Sequence, residues 1–204
     1  MEKDEEERLI QICRSQIKML ELIFEGFRTL TEKSIQEADQ MKEKVRKDSS
    51  ELAKFVIEKS SSAEKGREWA KPYLSMASSF DRMGHHMEGM VDRLKSMVKD
   101  HILFSDRAVK EVNDIFQEAM DLLENLPDLI HTKNKMLAQH IGEQVRSILK
   151  IANGHSEEHE DRLIQGVCMP KSAPIYLGIL ESLKGIIANT LEVSGKIVSL
   201  SPKP

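Results

Sequence analysis

Between residues 69 and 97, apolar side chains recur at alternating steps of four and three residues without interruption. The series consists of Trp69, Tyr73, Met76, Phe80, Met83, Met87, Met90, Leu94 and Met97. This spacing places all of them on one side of an α-helix, and a seam of about four heptads predicts a bundle-forming helix of roughly 45 Å. A Met-rich seam is also compatible with a promiscuous binding groove, but the strict heptad spacing favours a core role.

Apolar residues follow helical spacing in five further segments of the chain. These segments span residues 10–27, 35–56, 109–126, 137–151 and 179–191. Breaks between helices are predicted near residues 31–34, 60–67, 100–105, 127–133 and 166–174. No segment alternates with period two, so the sequence predicts no strand. The expected fold is therefore all-α, with six long helices.

Local signals refine the expected helix ends. The stretch SIQE at 34–37 has the form of a capping box and predicts the start of the second helix. Ser60, Ser61 and Ser62, followed by Gly66, predict a loop. Pro127 predicts a break or a new helix start, and the Asn-Gly pair at 153–154 predicts an interruption or a cap.

The two halves of the chain resemble each other weakly. At an offset of 106 residues, 35–37 aligns with 141–143, and 51–57 aligns with 157–163. At an offset of 100, 80–82 aligns with 180–182. We therefore expect two tandem three-helix bundles, residues 1–102 and 103–204, that share an interface within one compact domain.

Composition and missing motifs exclude several classes of function. The net charge of −4 gives no basic surplus for binding nucleic acid. Uncharged runs are shorter than the ~20 residues of a membrane span, so we expect membrane contact only through a partner. The acidic N-terminal residues and two isolated cysteines, Cys13 and Cys168, favour a reduced cytoplasmic location. The chain has no GxGxxG, GxxxxGK[ST] or GxSxG motif and no Glu-x-x-His pair, so we expect no enzyme.

Four ionisable side chains lie on one face of the third predicted helix. Asp81, His85, Glu88 and Asp92 follow one another at spacings of four, three and four. They point away from the apolar seam, so one interpretation is an ordinary solvated face. The other is a metal site, because carboxylates and imidazoles one turn apart can bind the same ion.

A metal site on this face would need ligands from a second helix. Glu181 is the natural partner because it occupies the equivalent place in the second half, and Glu37 and Asp39 are further candidates. Hard oxygen ligands with one imidazole would suit Mn, Fe or Zn.

For the remaining histidines and for two glycines, the sequence predicts structural roles. His155 and His159 have zinc-clamp spacing, but Ser156 replaces the Glu of an HExxH motif, so we expect two exposed histidines beside a helix break. The other histidines, which we expect at the surface or its boundary, are His86, His101, His131 and His140. Gly178 and Gly185 are seven residues apart in the last helix, which favours close packing.

Four stretches of this sequence are similar to those of a known family. They are EADQMKEKV at 37–45, FDRMGHHME at 80–88, SDRAVKEVNDIFQEAMDL at 105–122 and LESLKGIIANTLE at 180–192. Together they resemble the acidic second helix, the Glu-Arg-Ile-Gly-Asp-His-Ala signature, the opening of the second repeat and the second signature of the PhoU-like phosphate-uptake regulators. The resemblance in pattern covers nearly the whole chain.

The resemblance implies a cytoplasmic, non-catalytic regulator that acts beside a phosphate transporter or its sensor kinase. It also implies metal ions on the signatures of the third and sixth helices. Asp81 and His85 stand where the first signature has Glu and Asp, and both can bind metal. The second signature keeps Glu181, but Gly185 replaces its Asp and cannot be a ligand. The rival hypothesis is a helical adaptor or scaffold without a ligand, and either protein could form a homodimer through its long exposed helices.

Overall fold

The structure, a computed structural model, describes residues 2–61 and 66–200. Within these residues it contains six α-helices and no strand. The helices are α1 (Lys3–Thr29), α2 (Glu32–Ser61), α3 (Gly66–Lys99), α4 (Asp106–Thr132), α5 (Lys135–Ile164) and α6 (Ala173–Ser199). The predicted all-α fold with six long helices is therefore confirmed.

Particular side chains satisfy free backbone groups at several helix ends. The Ser105 hydroxyl accepts a hydrogen bond from the amide of Ala108 at the start of α4, and the Asn134 side chain accepts from two amides at the start of α5. Leu30 and Lys133 follow α1 and α4 in the left-handed conformation, with φ of 49° and 51°. These left-handed residues allow the chain to reverse direction over two residues in each case.

Two predicted breaks are wrong, because tertiary contacts carry the helices through them. Pro127 lies inside α4, which continues to Thr132 because Leu129 and Ile130 beyond the proline are fully buried. The Asn-Gly pair at 153–154 lies inside α5, which continues for ten further residues to Ile164. Beyond that pair α5 carries His159, which is buried, and Arg162, whose guanidinium donates a hydrogen bond to Glu111 of α4. Such contacts outweigh the helix penalty of about 1 kcal/mol for a glycine.

Two other predicted helix boundaries differ slightly from those of the structure. α2 begins at Glu32, so the stretch 34–37 lies inside its first turns rather than capping it. The amide of Ile35 instead bonds to the carbonyl of Thr31, one turn earlier. Ser60 and Ser61 still belong to α2, and the rest of the predicted loop, residues 62–65, lies outside the described part of the chain.

The apolar seam of α3 forms part of the hydrophobic core, as predicted. Eight of its nine residues are buried, and Trp69 at its start is partly buried against the same core. α3 packs against α1, α2 and α6, and its contacts with α2 and α6 are the most extensive in the bundle. Among the described residues, no helix is both long and apolar enough to cross a membrane.

The two predicted triplets of helices pack against each other along two contacts. α1 contacts α4, where the ring of Phe116 lies 5.1 Å from that of Phe24 and 5.7 Å from that of Phe27. α3 contacts α6 along much of its length. Core residues from both triplets form one continuous cluster. The division at residue 102 stays a prediction.

Candidate functional site at the contact of α3 and α6

Polar side chains connect α3 to α6 along one edge of their contact. Arg82 donates hydrogen bonds to Asn189 at 2.8 Å and to Glu192 at 2.5 Å. Ser79 donates a third bond, to Glu192 at 2.9 Å. Residue numbers therefore rise along α3 while they fall along α6, so the two helices run antiparallel.

Two glycines of α6 make room for side chains of α3. The ring of His86 covers Gly185, where a Cβ atom would lie 2.1 Å from Nε2 of the imidazole. The guanidinium of Arg93 covers Gly178 with equally little space. The predicted packing role of both glycines is confirmed, but the neighbours are side chains rather than a second backbone. Burial, and after it the nearby side chains of His85, Arg82 and Arg93, lower the pKa of His86.

Asp81 and His85 are neighbours on the exposed side of α3. The carboxylate of Asp81 lies 3.6 Å from Nδ1 of His85, and the side chains are 51% and 61% exposed. Nδ1 also lies 2.9 Å from the backbone carbonyl of Asp81, which occupies that nitrogen. A metal ion here would have the imidazole of His85 and the carboxylate of Asp81 as its nearest ligands.

The other acidic residues of this face are paired with cations. Glu88 accepts from Arg46 of α2 at 2.5 Å, and Asp92 accepts from Lys42 at 3.1 Å. Asp39 of α2 lies between Lys42 and Lys95, and hydrogen bonds from these lysines hold its pKa below the usual range. The carboxylates between α2 and α3 therefore stabilise the helix contact and are already neutralised. The remaining candidate, Glu37, forms an exposed pair with Lys33 on its own helix.

Glu181 lies well along the helices from Asp81. Its neighbour Ser182 lies opposite Gly89, where a Cβ atom would be 3.9 Å from the serine oxygen. Asp81, by contrast, lies beside Arg82 and therefore opposite the region of Asn189. At 1.5 Å per residue, the antiparallel register separates the two carboxylates by roughly 13 Å along the helices. One ion cannot bind both, and Glu181 pairs with Lys184 instead.

A second kind of polar site, which the sequence did not predict, lies buried at the end of the first helix triplet. Glu5 of α1 is fully buried and accepts a hydrogen bond from the hydroxyl of Tyr73 at 2.8 Å. Lys59 of α2 donates to the same carboxylate at 2.8 Å. Burial and the carboxylate raise the pKa of Tyr73, so its hydroxyl remains a donor.

The second triplet contains the same arrangement. Glu111 of α4 accepts from Tyr176 of α6 at 2.5 Å and from both terminal nitrogens of Arg162 of α5, at 2.9 and 2.7 Å. Arg107 adds another bond at 2.9 Å. Burial alone would raise the pKa of Glu111, but the bonds from Arg162, Tyr176 and Arg107 outweigh it and lower the pKa.

The sequence carries a signal for these two clusters. Glu5 stands one helical turn before buried Leu9, and Glu111 stands one turn before buried Ile115. A carboxylate in register with an apolar seam predicts a buried charge that needs a cation. The cation and the tyrosine come from other helices, so only the tertiary structure identifies them.

One group of possible metal ligands occurs among the described residues, and it is not the predicted one. Glu111, His155 and Glu158 each offer a ligand atom within 4.8 Å of the others. The oxygens of this group already accept bonds from two guanidinium groups, because Arg107 bridges Glu111 and Glu158 while Arg162 binds Glu111. Two nearby positive charges oppose the binding of a cation.

The prediction that His159 is exposed is wrong. It is only 2% exposed, and its ring stacks on that of Tyr176 at a centroid distance of 4.0 Å. The expected helix break does not occur, so α5 continues and carries His159 into the contact with α6. Its partner in the predicted zinc clamp, His155, lies half-buried next to Glu158.

No family model matches this chain, and no curated protein matches it in sequence. Among solved structures, the chain is similar to the crystal structure of the phosphate transport system regulatory protein PhoU from Streptococcus pneumoniae. The match has a TM-score of 0.84 at 13% sequence identity and covers 97% of this chain and 93% of that one. The chain therefore has a PhoU-like fold, as its resemblance to that family predicted.

Proposed function

We propose that this protein regulates phosphate transport or phosphate signalling in the cytoplasm by docking onto a phosphate transporter or its sensor kinase. The observation that carries this proposal is the likeness to a phosphate transport regulator over nearly the full length of both chains. A likeness that left out half of either chain would support only a common helical bundle. The proposal excludes catalysis by the chain itself.

Two features of the site support docking rather than catalysis. Three ionisable side chains of the signature stretches are exposed, Asp81 by 51%, His85 by 61% and Glu181 by 65%. The two buried carboxylates among the described residues, Glu5 and Glu111, are each held by a cation and a tyrosine. Exposed charges are suited to steering a partner, whereas an enzyme needs reactive groups in a water-excluding pocket.

A bound metal ion is the second part of the proposal. Asp81 and His85 are adjacent at the surface of α3 and could share a divalent or ferric ion, with Fe, Zn and Mn as candidates. Glu181 would belong to a separate site, because the register of α3 and α6 keeps it away. Such an ion would turn an acidic surface into one that attracts phosphate or an acidic partner segment.

The test of the function is a deletion in the source organism with two measurements. We expect loss of the chain to change the rate of radiolabelled phosphate uptake and the expression of a phosphate-starvation reporter. An affinity-tagged chain, restored at its natural level, should reverse both changes and co-purify with a phosphate transporter or a sensor kinase. Restoration of the Gly195→Ala chain is a control, because a Cβ atom added at this position meets none of the described atoms of other elements within 4 Å.

Unchanged phosphate uptake and unchanged reporter expression would contradict the proposal. Co-purification with proteins unrelated to phosphate would then favour the adaptor or scaffold hypothesis, which expects the same fold without an ion. Light scattering on the purified chain measures whether it forms the homodimer that its exposed helices allow.

A further inference from the structure

One end of the bundle exposes an unusual amount of apolar surface. The connection between α3 and α4 and the connection between α5 and α6 lie side by side there, since residues of both line the same cavity. Leu103, Val167 and Met169 are 66%, 69% and 59% exposed, and Ile164, which ends α5 three residues before Val167, is 84% exposed. These are four of the seven large apolar side chains that are exposed in the described part of the chain. Apolar surface concentrated in this way marks an interaction site.

The three loop residues surround the cavity, which has a volume of about 290 Å³. Its deeper wall is formed by Phe104, Ala108, Ser172 and the buried His159. This volume can hold one large apolar side chain together with some of its backbone. A pocket with apolar walls and a few polar groups is typical of specific recognition.

His159, which lines this cavity, carries an unused hydrogen-bonding group. Its Nδ1 lies 3.5 Å from a terminal nitrogen of Arg162, which can only donate, so Nδ1 must be the acceptor. Nε2 then carries the proton in the neutral ring, and burial with the charge of Arg162 keeps the ring neutral by lowering the pKa of His159. Nε2 is buried and has no hydrogen-bond partner among the residues that the structure describes. A buried donor without an acceptor costs about 1–3 kcal/mol, which an incoming acceptor would recover.

Two lysines that form no salt bridge with the described residues lie next to the cavity. Lys99, His101 and Lys171 line a neighbouring depression between the same two connections, together with Asp100. Neither lysine forms a salt bridge with any residue that the structure describes. This surface therefore favours acidic groups at the edge of an apolar contact.

We propose that this end of the bundle binds a segment of a partner protein in which a large apolar side chain is flanked by Asp or Glu. The apolar side chain fills the cavity, a backbone carbonyl beside it accepts the Nε2 proton of His159, and the acidic flank pairs with Lys99 and Lys171. The inference rests on the proposed function, because it identifies the surface through which the transporter or kinase is bound. A lipid acyl chain would fill the cavity without offering an acceptor to His159, so a peptide fits better.

The test places a photo-crosslinking residue, p-benzoylphenylalanine, at this surface in the full chain in the source organism. Leu103 and Val167 are the test positions, and Met136 and Ile151 are matched controls, because they are also exposed apolar residues but lie elsewhere. We expect irradiation to link the test positions to a phosphate transporter or sensor kinase at least about tenfold more often than the control positions. Mass spectrometry should place the link in a segment with a large apolar residue beside Asp or Glu.

A second set of variants tests the individual contacts in the co-purification assay. Reversing both charges, by Lys99→Glu with Lys171→Glu, should reduce recovery of the partner about tenfold or more. His159→Phe keeps an aromatic ring against Tyr176 and removes the donor, and it should reduce recovery by a similar factor. Circular dichroism and urea denaturation identify any variant that fails to fold, and the charge reversal at exposed positions should fold normally.

Each other outcome overturns the inference. These outcomes are equal linking from the control positions, a link to lipid or to a second copy of this chain, a basic partner segment, or undiminished recovery with the charge-reversed chain. If a transporter or kinase still co-purifies in any of these cases, the proposed function stands and only the assigned surface is wrong. If neither co-purifies with the unmodified chain, both proposals fail.

Discussion

The hydroxyl of Tyr73 on α3 donates a hydrogen bond to the buried carboxylate of Glu5 on α1 at 2.8 Å. Tyr176 and Glu111 repeat this relationship in the second half of the chain at 2.5 Å. In both halves a cation from the intervening helix completes the cluster, Lys59 in one and Arg162 in the other. Each cluster thus connects all three helices of its triplet at one end, although the carboxylate is costly to bury.

Removing a donor from these clusters should destabilise the protein. We predict that Tyr73→Phe and Tyr176→Phe each lower the free energy of unfolding by about 1–3 kcal/mol, because a buried carboxylate loses one hydrogen bond. Urea denaturation at neutral pH measures the change. Ser199→Ala, which removes an exposed hydroxyl at the end of α6, is the control and should stay within about 0.5 kcal/mol of the parent. A loss no larger than that control would mean that the hydroxyls contribute nothing.

Loss of Arg162 should have an effect that depends on Glu111. Arg162→Met leaves the carboxylate with Arg107 and Tyr176 only, so we predict a loss of about 2–4 kcal/mol in the free energy of unfolding. In a Glu111→Gln background the same change should cost at least about 1 kcal/mol less, because no charge is then left unpaired. Equal costs in the two backgrounds would show that Arg162 acts through packing alone.

The contact of Gly185 with His86 predicts an interaction between two substitutions. Gly185→Ala forces the imidazole to move, and we predict that it costs about 1–3 kcal/mol despite the better helix propensity of alanine. Adding His86→Ala should recover much of that loss, because the Cβ atom then has space. Gly195→Ala is the matched control in the same helix, and it should stabilise the protein by about 0.5–1 kcal/mol. A harmless Gly185→Ala would show that the ring adapts freely.

Two histidines with lowered pKa values predict a loss of stability in mild acid. Burial lowers the pKa of both His86 and His159 from the ordinary value of 6.5, so the unfolded chain binds protons that the folded chain does not. The stability that depends on these neutral rings is complete above about pH 6.5 and falls as the pH drops below it. We expect a lower urea midpoint at about pH 5.5 than at about pH 7.5.

Variants identify which histidine is responsible for that pH dependence. His86→Gln should reduce the difference between the two midpoints, because one of the titrating rings is gone. His140→Gln, at an exposed position of α5, should leave the difference unchanged. An identical difference in the parent and in His86→Gln would contradict the assignment to His86.

The metal prediction can be tested at each signature separately. If Asp81 and His85 hold an ion, elemental analysis of the purified chain should find about one equivalent of Fe, Zn or Mn, and Asp81→Ala with His85→Ala should remove it. Glu181→Ala should leave that equivalent in place, because Glu181 lies too far along α6 to share it. Metal content that is zero in the parent, or that the double variant retains, would rule out this site.

Helical periodicity carried most of the information about the fold. The seam from Trp69 to Met97 was correctly predicted as a core-facing helix because side-chain direction within a helix depends only on the 3.6-residue turn. Local breakers were less informative: Pro127 and the pair 153–154 lie inside helices whose far ends are held by tertiary contacts. A proline or glycine sets a local cost, and whether the helix stops depends on what is buried beyond it.

The amino-acid sequence by itself determined that six amphipathic helices would bury one face each and that Asp81, His85 and Glu181 would remain outside the core. Only the tertiary structure decided which charges meet. The antiparallel register of α3 and α6 separates Glu181 from Asp81, and the packing of α2 on α3 pairs Glu88 with Arg46. The tertiary structure also buries His159 against Tyr176 and leaves Nε2 of this histidine without a hydrogen-bond partner among the described residues. The physical reason is that the face of a residue follows from its neighbours along the chain, whereas the register between distant helices follows from how all their side chains fit together.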